Sequence, residues 1–135
     1  MTKSITLKDM SKPAREGVTA DLDWICECFG LVSGRDTKKV SSRLIRSLVQ
    51  NIAKKGYATV QDIAKDTKLS RQKVNYHLRG LMLSGFIVKD RRRVMLRENS
   101  ILGTIQEMRK DSERIFDKLS EIATEIDNEL GLKSR

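Results

Sequence analysis

Apolar residues along the chain change their spacing several times, and each change marks an element. Val40, Leu44, Leu48 and Ile52 recur every four residues, so one face of a helix from about Asp36 to Lys55 is apolar, and Gly56 is its expected C-cap. Upstream, "TADLDWICECFGL" predicts a shorter helix with Thr19 as N-cap, Asp21 and Asp23 in its first turn, and Leu22, Ile25 and Phe29 at helical spacing. Trp24 is expected in the core or at a subunit contact, and "SGRD" breaks the chain before the second helix.

The middle third holds two helix starts in close succession. Thr59 and Asp62 have capping-box spacing and open a helix of about seven residues that buries Val60, Ile63 and Ala64. Lys68-Leu69 turns the chain, Ser70 is the next N-cap, and Val74, Leu78 and Leu81 form the core side of the helix that follows. At 100° per residue, Gln72, Asn75, Tyr76 and Arg79 point away from that core, with Arg71 and Lys73 near the first turn. After Gly85, the β-rich runs "FIV" and "VMLR" flank "KDRRR" and predict a hairpin with Asp90 at its tip.

From Asn99 or Ser100 the spacing becomes heptad. Ile101, Met108, Ile115 and Ile122 take one core position, and Ile105, Ser112, Leu119 and Ile126 take the other, in a helix that ends near Gly131. Phe116, Leu102 and Leu130 widen the stripe. A single helix about 45 Å long cannot bury such a seam on a domain of roughly 60 residues, so a second copy of the chain is the expected partner. The competing expectation is that the helix folds back on its own domain.

Composition and charge narrow the function. At 135 residues the chain holds one domain and an appended helix, and its 27 basic against 18 acidic residues give +9. The excess is local. Residues 1–98 carry 21 basic and 10 acidic residues, a balance of +11, whereas residues 99–135 carry 6 and 8, a balance of −2. The basic part calls for a polyanionic partner. Residues 1–18 have few large apolar side chains and are expected to form a flexible arm, followed by a basic domain at 19–98 and a dimerisation helix at 99–135. No apolar run is long enough for a membrane span or a secretory signal, so a cytoplasmic, nucleoid-associated protein is expected. Cys26 and Cys28 cannot supply a zinc site with the distant His77, and they are expected to be small apolar fillers, with no metal and no cofactor. A structural role is likewise expected for His77. An enzyme is not expected, because the chain has no Gly-rich phosphate loop and no second histidine.

Helix, turn, helix and hairpin is the order of a winged helix-turn-helix, so the fold is mainly α with a small β-hairpin and a long C-terminal coiled-coil helix. Over about Lys38 to Arg97, and above all in "LSRQKVNYHLRGLMLSGFIV", the sequence resembles winged-helix transcription regulators of the ArsR and MarR type. The resemblance implies that helix 70–83 enters the DNA major groove and that the wing, residues 89–93, lies on the backbone or in the minor groove. The metal-binding cysteine motif of some ArsR members is missing. The expected DNA contacts are Ser70, Arg71, Gln72, Lys73, Asn75, Tyr76 and Arg79 on the helix, with Lys89, Arg91, Arg92 and Arg93 on the wing. Repulsion among three adjacent arginines vanishes when phosphates neutralise them, although a plain solvated turn would also tolerate them. Three functions stay open: a dimeric regulator that reads a palindromic site, a sequence-tolerant DNA-coating protein, and a winged-helix protein-interaction module. No recognisable effector pocket is expected.

Overall fold

A computed structural model describes residues 3–14, 16–31 and 37–133, with residues 37–39 as backbone alone. It contains α1 (Val18–Cys28), α2 (Thr37–Lys55), α3 (Val60–Thr67), α4 (Arg71–Ser84), the hairpin β1 (Ile87–Asp90) and β2 (Arg93–Leu96), and α5 (Ile101–Leu130). The expected break at "SGRD" and the start of α2 at Asp36 lie outside the described residues.

One core serves all these elements. Leu44 and Leu48 of α2, Ile63 of α3, and Val74, Leu78 and Leu81 of α4 meet Phe86, Ile87, Val94 and Leu96 of the hairpin and Met108 of α5, all of them buried. Val60 and Ala64 reach this core only part-buried. The α3 start is a complete capping box: the Thr59 hydroxyl accepts from the Asp62 amide at 3.0 Å, and the Asp62 carboxylate accepts from the Thr59 amide at 3.2 Å. Lys55 donates to the same carboxylate at 2.7 Å and holds it below the usual carboxylate range. Thr59→Ala is expected to cost about 1 kcal/mol, read as a drop of a few degrees in the thermal midpoint.

Helix α1 begins one residue before the expected cap. Gly17, not Thr19, is the N-cap, with φ 125° and no side-chain cap; its carbonyl accepts from the Asp21 amide. Glycine adopts that backbone angle without a Cβ penalty, and this outweighs the threonine hydroxyl. Cys26 is fully buried, and burial pushes its thiol up to about 12, so it is a neutral filler at neutral pH. Residues 3–14 form no helix or strand, and two backbone hydrogen bonds join them to the domain, from the Ser4 amide to the Leu83 carbonyl at 3.1 Å and from the Lys8 amide to the Cys28 carbonyl at 2.7 Å.

The wing is a four-residue antiparallel pair with Ile87 opposite Leu96 and Asp90 opposite Arg93. Its tip is therefore Arg91-Arg92, and the expectation of Asp90 at the tip is corrected. The core register decides this: Ile87 and Leu96 are both buried and face each other, which leaves only two residues for the turn. Ala58 adds a bridge to Val94, with hydrogen bonds of 2.8 and 2.7 Å that tie the wing to the segment between α2 and α3.

Helix α5 is split in its burial, and this corrects the expected seam. Thr104, Met108 and Asp111 are buried in the chain's own domain, and Ile101 packs against the core. Met108 is 1% exposed and so is unavailable to a second copy. Beyond Asp111 the helix leaves the domain, and Ile115, Phe116, Leu119, Ile122, Ile126 and Leu130 are all exposed. The join is held by the buried Asp111 carboxylate. It accepts from both terminal nitrogens of Arg97, one at 3.1 Å, from Lys3 at 3.1 Å and from Arg114. Gly85, the left-handed C-cap of α4, sits against the same pair: a Cβ there would lie 2.8 Å from Arg97 Nη1.

Candidate nucleic-acid interface

The helix-turn-helix is made by two caps and a sharp turn. Lys68, at φ 59°, ends α3, and the Ser70 hydroxyl accepts from the Lys73 amide at 3.2 Å to start α4 two residues later. With Val74, Leu78 and Leu81 held in the core, the opposite side of α4 is placed outward. Ser70, Arg71, Gln72, Lys73, Tyr76 and Arg79 are exposed there as expected, while Asn75 is half-buried at the edge of the helix.

The electrostatics of this surface differ from those of α5. Among the described residues no carboxylate pairs with Arg71, Lys73, Arg79, Lys89, Arg91 or Arg92, whereas Arg109, Lys110 and Arg114 on α5 each pair with an acid three or four positions away. Helix α4 also has no acid in its first turn, where the positive end of the helix dipole would favour one. It carries Arg71 and Lys73 there instead, an arrangement unfavourable in isolation and well suited to a bound phosphate. The wing tip shows the same preference, because Arg91 takes a left-handed φ of 59° that glycine or asparagine would adopt more easily.

Arg93 behaves differently from its two neighbours. Its guanidinium lies over the Tyr57 ring, 4.4 Å from the centroid, and Lys55 Nζ is 5.1 Å from the same ring. Arg93 thus braces the base of the wing while Arg91 and Arg92 are free at its tip. Lys55 and Tyr57 carried no role in the sequence pattern. Their place follows from the pairing of Ala58 with Val94, which joins segments far apart in sequence.

His77 is half-buried beside the Tyr76 ring, 5.4 Å between centroids, and burial together with Lys73 lowers its pKa, so it is neutral at pH 7. It borders a cleft of about 640 Å³ between α2 and α4, lined also by Leu31, Ser41, Leu44, Tyr76 and Leu83. That cleft has no counterpart in the sequence pattern.

The fold is that of a winged helix-turn-helix, with a basic outer face on α4 and the wing. Residues 42–88, from within α2 to the first strand of the wing, match the family model for winged helix-turn-helix DNA-binding. No curated protein and no solved structure matches the chain. The matched segment contains all the expected contact residues of α4, while Arg91, Arg92 and the whole of α5 lie beyond it. No described helix is long and apolar enough to cross a membrane.

Proposed function

We propose that the chain is a dimeric, sequence-specific transcription regulator of the ArsR and MarR type, acting without enzymatic chemistry by occupying duplex DNA in the cytoplasm. Helix α4 enters the major groove and the wing tip engages the backbone or minor groove. The observation that carries this reading is the set of cations on α4 and the wing with no carboxylate partner among the described residues, in contrast to Arg109, Lys110 and Arg114 on α5, which each have one. Arg71 and Lys73 at the helix start and Arg91 and Arg92 at the tip hold phosphates; Gln72, Asn75 and Arg79 are placed for base edges. The exposed apolar stretch of α5 supports a homodimer, which presents two copies of α4 to a palindromic site.

The test is fluorescence anisotropy against the duplex upstream of the chain's own gene and against random duplex, over a salt series. The expected result is an affinity that falls steeply with salt and a clear preference for the upstream duplex. Equal affinities would replace the regulator with a DNA-coating protein. Failure to bind either duplex at low salt would leave a protein-interaction module.

A further inference from the structure

The apolar face of α5 beyond Asp111 is wider than a two-stranded seam with polar flanks. Placing Ser112, Leu119 and Ile126 at heptad position a puts Ile115, Ile122 and Glu129 at d, Phe116, Ala123 and Leu130 at e, and Asp111, Lys118 and Glu125 at g. The e and g residues decide how a second copy fits. In a parallel pair each g position faces an e position of the other helix. Lys118 would then lie against the partner's Ala123 and Glu125 against the partner's Leu130, while Glu129 would meet its own copy at a core position.

An antiparallel pair sets e against e and g against g. With the two-fold axis between Ser120 and Glu121, Leu119 packs on the partner's Ile122 and Ile115 on the partner's Ile126. Phe116 then faces the partner's Ala123, large against small, and Ser112 faces the partner's Glu129. Lys118 meets the partner's Glu125, and the symmetry gives this ion pair twice. Both residues are exposed, and neither has an ion pair within the chain among the described residues. In this register Ile115, Phe116, Lys118, Leu119 and Glu125 each acquire a suitable neighbour, whereas the parallel arrangement sets Glu125 against Leu130 and Glu129 against its own copy.

We infer that α5 pairs with a second copy of itself antiparallel, in the register that sets Lys118 against the partner's Glu125. This rests on the homodimer proposed above and adds its direction and register. It also sets the spacing of the DNA-binding domains. Each joint at Asp111 lies opposite the partner's Leu130, so the two joints are about 28 Å apart along the helices, close to the roughly 34 Å between half-sites one turn apart.

Charge exchange between two separately purified variants reads the register directly, by sedimentation equilibrium of the full chain. Lys118→Glu alone places glutamate against glutamate, Glu125→Lys alone places lysine against lysine, and each is expected to weaken dimerisation roughly tenfold at low salt. Mixed in equal amounts, the two form a heterodimer in which both pairs are again opposite in sign, and wild-type affinity is expected to return. The double variant Lys118→Glu/Glu125→Lys is expected to dimerise as the wild type does. A wild-type dimer whose single variants are unaffected, or whose mixture associates no better than the two variants alone, overturns the antiparallel register and leaves the dimer standing. A wild-type chain that sediments as a monomer or a tetramer overturns the dimer itself. All these positions are exposed on a helix, so circular dichroism is expected to be unchanged in each variant.

Discussion

Replacing Arg91 with glycine and Arg92 with alanine is expected to lower affinity for duplex DNA roughly 100-fold at low salt and to leave the fold at least as stable as before. The two guanidiniums sit at the wing tip with no carboxylate partner among the described residues, so no interaction within the chain is lost. Glycine at position 91 removes a side chain from a left-handed φ of 59°, which stabilises the hairpin by up to about 1 kcal/mol. Binding changes in the other direction. Two phosphate contacts disappear per subunit, four per dimer, and the slope of log affinity against log salt becomes shallower by about 3.5. Arg93 is left in place because it stacks on Tyr57, and its loss would mix a folding defect into the result. Thermal melts alongside the salt series separate the two effects. An affinity and slope equal to wild type would show that the tip arginines are only a solvated turn.

Asp111→Ala is expected to be the most destabilising exchange of a polar residue, at about 3 kcal/mol and a fall of roughly 10 °C in the thermal midpoint. The carboxylate is 4% exposed and Arg97 is 17% exposed, so the variant strands a guanidinium in a largely enclosed place. Lys3 and Arg114 are much more exposed and contribute little. Arg97 also fills the space beside Gly85, where α4 ends, so this ion pair fixes the angle at which α5 leaves the recognition helix. The pH dependence follows from the same contacts. Arg97, with Lys3 and Arg114, holds the Asp111 carboxyl well below the usual carboxylate range. A depressed pKa stabilises the folded chain above the ordinary aspartate value near 3.9, and that stability is lost as pH falls below it. Urea titrations are therefore expected to show the full gap between wild type and variant at pH 7 and a smaller gap near pH 2.5. A gap that stays constant with pH would show that packing, and not the charge, explains the loss.

Local chemistry made much of the domain legible in the sequence. The Thr59–Asp62 box, the Ser70 cap, the Val74–Leu78–Leu81 stripe and the end of α5 at Gly131 each depend on residues within a few positions of one another, and each is found where the pattern put it. The exposed side of α4 follows from the same periodicity, with Asn75 less open than the helical wheel implied. Where two local signals competed, as Gly17 and Thr19 did at the start of α1, the pattern chose the hydroxyl and the chain uses the glycine.

Along the chain alone, spacing determined a basic helix-turn-helix with a wing, followed by a long helix with an apolar seam, because helix caps and periodicity are short-range properties. Tertiary structure decided the rest. It moved the wing tip to Arg91-Arg92 through the pairing of Ile87 with Leu96, it drew Arg93 onto Tyr57 through the bridge from Ala58 to Val94, and it assigned Met108 to the chain's own core. A heptad pattern records that a residue will be buried but not by which surface. For α5 that choice falls at Asp111, where Arg97, fourteen positions earlier in the chain, closes the domain and leaves the rest of the seam exposed.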